Sequence, residues 1–328
     1  MRVLVSGARG QVGHELLRLA PQGFQVQGLD SAELDIDNAV QVAAVVEKLR
    51  PELIINAAAY TAVDKAESEP ERAWAVNRDG VRNLAVVAER LGIPVLHIST
   101  DYVFAGDAGS PYREDDPTGP TGVYGASKLA GEAELAANCS RHVILRTSWV
   151  FGAHGNNFVK TMLRLGRERE QLDVVADQRG CPTSAASIAS TLWSLARQCQ
   201  TQGSLQWGTY HFSNAPACSW HEFALAIFEQ GLDTGLLPKL PTVEAIATKD
   251  YPTSASRPAW SVLDCSKVKA IYGLTQPDWR DELSAVLAEL KPGQAETSLV
   301  SAQRAVVEDL EKALEANGLS NPAKAGAI

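Results

Sequence analysis

Tyr124 and Lys128 stand four residues apart in the stretch Tyr124-Gly125-Ala126-Ser127-Lys128. On a helix, residues with this spacing lie on the same face, about one turn from each other. An ammonium held near a phenol favours the phenolate, so the spacing predicts a tyrosine whose pKa lies below its free value of about 10. Such a tyrosine is a general acid or base for carbonyl reduction. The pair also fits an ordinary exposed helix turn, and only its surroundings can decide.

A glycine-rich turn at the start of the chain suits a dinucleotide. A β-branched run over 2–6 leads into Gly7, Gly10 and Gly13, and a helical pattern follows. Glycines in this context let backbone N–H groups approach a pyrophosphate at the positive end of a helix. The spacing is GxxGxxG rather than GxGxxG, and a tight strand–helix turn without a ligand is the alternative. Because the turn opens the protein between a strand and a helix, we expect nucleotide binding.

The end of the second predicted strand, 24–29, bears on the choice of cofactor. It ends at Asp30, and an acidic residue at this place can accept hydrogen bonds from the adenosine ribose hydroxyls. No arginine follows directly to bind a 2′-phosphate, which favours NADH. Arg9 in the first loop could offset that preference. The sequence therefore leaves NADPH and NADH both open.

Two further strands end in residues that can meet a ligand. The buried strand 53–59 finishes in three alanines, which either let a flat ligand lie close or simply pack tightly. The strand 94–98 delivers Thr100 at its carboxyl end, where ligands bind in open α/β sheets. A hydroxyl there could polarise a substrate carbonyl. Between them, Asn77 interrupts a helical pattern. Its side chain could form a hydrogen bond at the site, but we expect it to lie on a polar helix face.

The order of these patterns predicts the fold. Five or six alternations of strand and helix within about 150 residues indicate a Rossmann-like, doubly wound parallel sheet. Beyond residue 152 the alternation loosens into helical patterns separated by turn-rich stretches. We expect an NAD(P)-binding α/β domain over 1–150 to which later segments could return, a smaller α/β substrate-binding domain over 151–292, and a helical tail over 293–328 with an amphipathic helix at 298–317.

Composition excludes several classes of function. The net charge is −9 and there is no run rich in Lys or Arg, so nucleic acid is not an expected partner. No apolar run reaches the roughly 18 residues that a membrane span needs. Five scattered cysteines without a CxxC pair favour reduced thiols in the cytoplasm. Six histidines lack metal-ligand spacing, so no catalytic metal is expected.

Together these stretches resemble the extended short-chain dehydrogenase/reductase superfamily. Within it, they are most similar to enzymes that reduce the C4 keto group of dTDP-linked 4-keto-6-deoxysugars in the last step of dTDP-rhamnose synthesis. The resemblance covers roughly residues 1–292 and leaves out the tail. It is carried by 10–13, 56–67, 99–104, 146–152, 156–158, 177–178 and 182–183.

The resemblance implies roles for the matching residues. Tyr124 would protonate the C4 oxygen, Thr100 would hydrogen-bond the same oxygen, and Lys128 would tune Tyr124 and hold the nicotinamide ribose. NADPH or NADH would supply a hydride to C4 of the sugar. Asp101 and Trp149, like Thr100, would contact the dTDP-sugar. The dinucleotide site would be formed by Gly7, Gly10, Gln11, Val12, Gly13, Asp30, Asp35, Ile36, Ala57, Ala58, Ala59, Tyr124 and Lys128.

Two alternatives stay open at this point. A nucleotide-sugar 4-epimerase shares the fold, as does a non-catalytic regulatory subunit resembling that of methionine adenosyltransferase. Dehydratases of the superfamily place a glutamate where Tyr102 stands here, so elimination would lack its acid. Some related reductases dimerise through a metal held by glutamates. Glu15 fits that pattern but 185–187 holds no carboxylate, so we expect a monomer or homodimer without a bridging metal.

Overall fold

The computed structural model describes residues 1–291. The strands are β1 (Arg2–Ser6), β2 (Gln25–Leu29), β3 (Leu53–Asn56), β4 (Val95–Thr100), β5 (His142–Thr147), β6 (Val150–Phe151), β7 (Gln171–Val175), β8 (Arg179–Gly180), β9 (Thr183–Ser184), β10 (Gly208–His211), β11 (Cys218–Ser219) and β12 (Thr242–Ile246). The α-helices are α1 (Gln11–Arg18), α2 (Ala39–Leu49), α3 (Val63–Ala66), α4 (Pro70–Trp74), α5 (Val81–Leu91), α6 (Val123–Asn138), α7 (Phe158–Glu168), α8 (Ala185–Gln202), α9 (Trp220–Asp233), α10 (Ser266–Tyr272) and α11 (Trp279–Glu289). A π-helical turn (Ala75–Gly80) joins α4 to α5.

A six-stranded sheet forms the centre of the molecule. Its strands follow the order β2-β1-β3-β4-β5-β10, and every neighbouring pair is parallel. The predicted doubly wound parallel sheet is therefore confirmed. The edge strand β10 comes from the second half of the chain and pairs with β5. Because both faces of such a sheet are covered by helices, its inner strands are apolar runs, and all four residues of β3 are buried.

Alternate residues of each strand enter the two layers of helices. Val3 and Val5 of β1 belong to an apolar core with α1 and α8, whereas Leu4 belongs to another core with α2, α5 and α6. This period of two is the geometry of any β-strand. It determines which side chains at the strand ends share a face of the sheet.

A second apolar region lies in the later part of the chain. Phe151, Phe223 and Trp279 are fully buried there, with α7, α9 and α11 around them. Beside these helices, β7 pairs in parallel with β12. Neither of these two strands is predicted from the sequence, because each is short and its partner lies about 70 residues away.

Several predicted boundaries differ from the structure. The helical pattern that contains Asn77 is divided into α3, α4, the π-helical turn and α5. It ends at Gly92, whose φ of 65° is the left-handed conformation common after the last helical residue. The tail helix predicted at 298–317 lies outside the described residues. Within residues 1–291, no helix is long and apolar enough to cross a membrane.

Candidate active site

Two glycines of α6 bring Tyr124 and Lys128 close to the sheet. A Cβ atom at Gly125 would lie 2.2 Å from the carbonyl oxygen of Tyr102, and one at Gly131 would lie 2.0 Å from that of Asn77. Any larger residue would push the helix away from both segments. The close approach places the first two turns of α6 beside the carboxyl end of β4, which carries Thr100.

A cavity of about 1110 Å³ opens at the carboxyl ends of the central strands. It is large enough for two ligands of dinucleotide and sugar-nucleotide size. It joins the glycine turn, the strand ends and the start of α6 in one space. The predicted residues that line it are Gly10, Gln11, Val12, Ala57, Ala59, Thr100, Asp101, Tyr124, Lys128 and Trp149.

The other predicted dinucleotide residues do not line this cavity. Two of them shape the turn: a Cβ at Gly7 would lie 2.6 Å from Ala58, and one at Gly13 would lie 2.1 Å from the Gly7 carbonyl oxygen. Ile36 is buried in the core beside α2 and α5. The residues in this group are Gly7, Gly13, Asp30, Asp35, Ile36 and Ala58.

The start of α1 fits the phosphates of a dinucleotide. Gly10 is the N-cap residue, and no side chain caps the helix, so the first N–H groups have no side-chain acceptor. Gly10, Gln11 and Val12 face the cavity. Gly7 takes a φ of +75°, a conformation that glycine adopts without strain. Anions bind readily to such uncapped helix starts.

Asp30 lies at the end of β2 beside the first loop. Its Oδ1 accepts hydrogen bonds from the N–H groups of Ala32 (2.8 Å) and Glu33 (3.2 Å). Its Oδ2 lies 2.6 Å from Nε of Arg9, whose side chain is 86% exposed. The sequence left open whether Arg9 offsets the preference for NADH that Asp30 suggests. In the structure the Arg9 guanidinium contacts the Asp30 carboxylate directly.

The environment of Tyr124 corrects one prediction. The proximity of Lys128 was expected to lower the pKa of the phenol, but the pKa of Tyr124 is raised. The main cause is burial, which disfavours the phenolate, and the nearby charge of Asp101 acts in the same direction. The Thr100 hydroxyl opposes them. Tyr124 is therefore a protonated phenol in this structure, which is the form that donates a proton.

Lys128 is only 2% exposed and lies beneath Tyr124 on α6. Its Nζ donates a hydrogen bond to the carbonyl oxygen of Ile98 at 2.7 Å and lies 3.5 Å from Nε2 of His97. Burial lowers the pKa of Lys128 to about 8, and the carboxylate of Glu132 partly offsets this effect. Since its partners are these groups, Lys128 does not act on the Tyr124 phenol by direct pairing here.

Thr100 and Asp101 form a buried pair at the carboxyl end of β4. The Thr100 hydroxyl donates to Oδ1 of Asp101 at 2.9 Å, and the other carboxylate oxygen of Asp101 has no hydrogen-bond partner. Burial raises the pKa of Asp101 to about 7, and the hydrogen bond from the Thr100 hydroxyl acts in the opposite direction. Asp101 lines the cavity, and a buried polar atom without a partner calls for an explanation, of which a polar ligand is one.

Trp149, which lines the same cavity as Tyr124, belongs to an aromatic platform that the sequence did not predict. Its indole stacks on that of Trp220, with ring centroids 3.6 Å apart, and Phe158 packs against Trp220. Trp149 Nε1 donates to the Ser261 hydroxyl at 3.1 Å. Its φ of 48° is rare for a bulky residue and is a mark of functional sites. Trp220 also lines the cavity.

Asn77 is a buried residue that connects two segments, and it does not lie on the polar helix face that the sequence suggested. It is 1% exposed and lies in the π-helical turn. Its side chain accepts from the N–H of Tyr60 (2.8 Å) and donates to the Tyr60 carbonyl (3.0 Å) and to the Ser127 hydroxyl (3.0 Å). It thereby ties the loop after β3 to the helix that carries Tyr124.

Three metal-ligating side chains meet near the start of α1. His14, Glu15 and His154 each offer one ligand atom, and these atoms all lie within 4.8 Å of one another. His14 and His154 stack with ring centroids 3.3 Å apart, and His154 Nε2 lies 3.0 Å from a carboxylate oxygen of Glu289. Sequence spacing missed this cluster because His154 is far from α1 along the chain.

The fold and the site together define a class of protein. A doubly wound sheet carries an uncapped glycine turn at one end of the cavity, and a phenol, an amine and a hydroxyl meet at the other. This combination is typical of the extended short-chain dehydrogenases and reductases, which act on a carbonyl or hydroxyl beside a nicotinamide.

Comparison with known proteins narrows the class. The model for the RmlD substrate binding domain matches residues 1–291. The dTDP-4-dehydrorhamnose reductase of Aggregatibacter actinomycetemcomitans is 45% identical over 289 residues, which cover 88% of this chain and 98% of that protein. The enzyme of the same name from Escherichia coli strain K12 is 43% identical, with 88% and 98% covered. The chain belongs to the dTDP-4-dehydrorhamnose reductase family.

Solved structures agree with this placement. The dTDP-4-dehydrorhamnose reductase of Bacillus anthracis in complex with NADP is 40% identical, with a TM-score of 0.81, and 88% of this chain and 99% of that chain are covered. A Thermus thermophilus UDP-glucose 4-epimerase complexed with NAD is 21% identical, with a TM-score of 0.70 and coverage of 89% of this chain and 100% of that chain. The likeness to the epimerase shows a common fold only.

Proposed function

We propose that this chain reduces the C4 keto group of dTDP-4-dehydrorhamnose with NADPH or NADH and forms dTDP-L-rhamnose. The observation that carries the proposal is the meeting of Thr100, Tyr124 and Lys128 in the same cavity as the uncapped start of α1. A carbonyl carbon that receives a hydride needs a proton for its oxygen at the same time. The protonated Tyr124 phenol is suited to give it.

When bound, the nicotinamide cofactor supplies the hydride. Gly10, Gln11 and Val12 would hold its phosphates through backbone N–H groups at the start of α1. Lys128 would bind the nicotinamide ribose from below the cavity floor. Arg9 and Asp30, which already pair with each other, would lie at the adenosine ribose and decide between NADPH and NADH.

Proton donation to the sugar would rest on two hydroxyls. Tyr124 would give its proton to the C4 oxygen as the carbon accepts the hydride, which is general acid catalysis. The Thr100 hydroxyl, now bound to Asp101, would turn towards the same oxygen and stabilise its developing charge. Trp149 and the unpartnered oxygen of Asp101 would orient the sugar nucleotide against the platform.

We also propose a compartment, a division into domains and an oligomeric state for this chain. All five cysteines are free and buried, which supports a reducing compartment and hence the cytoplasm. We retain the division into a dinucleotide-binding part over 1–150, a substrate-binding part over 151–292 and a tail over 293–328, with β10 returning to the central sheet. A monomer or a homodimer is expected, without nucleic acid as a partner.

The direct test is oxidation of NADPH and NADH by the purified chain with dTDP-4-dehydrorhamnose, followed by absorbance. We expect stoichiometric oxidation of the cofactor and formation of dTDP-L-rhamnose. Retention of NAD through purification, with sugar isomerisation and no net cofactor consumption, would instead identify an epimerase. Absence of turnover with either cofactor, although both bind, would favour a regulatory binding subunit.

A further inference from the structure

Three buried polar side chains on adjacent strands of the central sheet form a hydrogen-bonded row that leads to Lys128. Ser6, Asn56 and His97 occupy paired positions on β1, β3 and β4, so they point to the same face. All three are at most 1% exposed. The Ser6 hydroxyl donates to Asn56 Oδ1 at 2.7 Å, and Asn56 Nδ2 lies 3.0 Å from His97 Nδ1. The row ends at Lys128, whose Nζ lies 3.5 Å from His97 Nε2.

The hydrogen bonds determine which nitrogen of His97 carries the proton. Asn56 Oδ1 accepts from the Ser6 hydroxyl and from the N–H of Ala58 at 3.1 Å, so the amide oxygen must lie on that side. The amide NH₂ of Asn56 therefore faces His97 Nδ1 as a donor. A neutral imidazole has one N–H and one acceptor nitrogen. Nδ1 must accept, and the proton is on Nε2.

We propose that His97 is a positioning residue for Lys128: its Nε2–H group faces the Lys128 amine and stabilises the uncharged form of that side chain. If Lys128 were an ammonium, it and the His97 Nε2–H group would be two donors that face each other without an acceptor. An uncharged Lys128 amine has a lone pair and can accept the hydrogen bond from Nε2–H. Lys128 still donates to the Ile98 carbonyl oxygen at 2.7 Å. The row thus holds Nζ at a defined point under the phenol of Tyr124.

The charges around this pair agree with the inference. Burial is the main cause that lowers the pKa of His97 well below its usual value, so the imidazole stays neutral. Lys128, whenever it is protonated, and His142 on β5 act in the same direction. Burial also lowers the pKa of Lys128 to about 8, and Glu132 on α6 acts in the opposite direction. Lys128 is therefore poised to change its protonation near neutral pH. Its catalytic use rests on the proposed function, but its pairing with His97 does not.

The first experiment reads the tautomer in the native protein. Ring ¹⁵N chemical shifts of His97 are measured at pH 7 by long-range ¹H–¹⁵N correlation and assigned by their loss in His97→Gln. We expect the pattern of a neutral ring with the proton on Nε2. A ring protonated on Nδ1, or on both nitrogens, would overturn the proposal. The measurement uses no substrate, so a failed activity assay does not affect it.

The second experiment changes Asn56, which contacts His97 and not Lys128. Asn56→Leu removes the donor to Nδ1, so His97 is free to place its proton there and to accept from the ammonium. With ¹⁵Nζ-labelled lysine, assigned by Lys128→Met, the Lys128 titration midpoint should move upward by about half a pH unit or more. Asn83→Leu, which removes a half-buried amide that donates to the carbonyl oxygens of Ile36 and Asp37 just before α2, is the matched control. An unchanged midpoint in Asn56→Leu, with the tautomer reversed, would refute the coupling.

Discussion

Replacement of Asp101 by Asn should stabilise the protein at alkaline pH. Asp101 is 2% exposed, and one of its carboxylate oxygens has no partner. An unfolded aspartate has a pKa of about 3.9, whereas burial raises that of Asp101 to about 7. The folded state therefore binds this proton more tightly than the unfolded state. Its contribution to stability is complete below pH 4 and is lost as the pH rises through 7.

The two pKa values set the size of the effect. Relative to a group that does not titrate, Asp101 should disfavour the folded state by about 4 kcal/mol at pH 8, where the buried carboxyl must ionise. At pH 5, where only the unfolded state ionises, the difference should be about 1 to 2 kcal/mol. Asn resembles the protonated acid and has no such cost. We expect Asp101→Asn to raise the free energy of unfolding by up to about 4 kcal/mol at pH 8, and by much less at pH 5.

Urea unfolding of both proteins at pH 5 and pH 8 measures this difference. Asp115→Asn, at an exposed acid on the surface, is the control and should change the free energy of unfolding little at either pH. An advantage for Asp101→Asn that is equal at both pH values would refute the reasoning. So would a loss of stability at pH 8, because the buried carboxylate would then be well solvated or paired.

Three other substitutions test separate parts of the site. Thr100→Val removes the second hydroxyl and should lower the single-turnover rate by about 10- to 100-fold with cofactor affinity unchanged, and an unchanged rate would contradict its role. Arg9→Ala leaves Asp30 uncompensated and should shift the ratio of kcat/KM for NADPH over NADH by about tenfold towards NADH; an unchanged ratio would contradict the assignment. Gly180→Ala would place a Cβ 2.4 Å from Trp149 and should raise KM for the dTDP-sugar but not for NADPH. An equal rise in both values would indicate a general structural effect instead.

The sheet and the main site were predictable because they depend on local patterns. Each central strand is a short apolar run that ends in a turn, and the strand ends of a parallel sheet meet at one edge. This geometry alone places Thr100 near Tyr124. The positions of β7, β10 and β12 depend on pairings between distant segments, which no local pattern encodes.

Other parts of the site depend on three-dimensional surroundings. The stacking of Trp149 on Trp220 joins residues about 70 positions apart, and the burial of Asn77 follows from the way α6 packs through Gly131. The pKa of Tyr124 was predicted with the wrong direction. The spacing between Tyr124 and Lys128 indicates that a positive charge could lower the pKa of the phenol. Burial of the phenol raises that pKa by more, and burial is visible only in the folded structure.

The central claim is that the Tyr124 phenol protonates the C4 oxygen. The most direct measurement compares kcat for dTDP-4-dehydrorhamnose reduction in Tyr124→Phe and in the native chain, with the cofactor Kd measured in parallel. Tyr272→Phe, which removes a phenol hydroxyl bound to the Gln206 carbonyl, is the control. We predict a loss in kcat of about 10²- to 10⁴-fold with the cofactor Kd unchanged. A Tyr124→Phe enzyme that turns over as fast as the native chain would contradict the account.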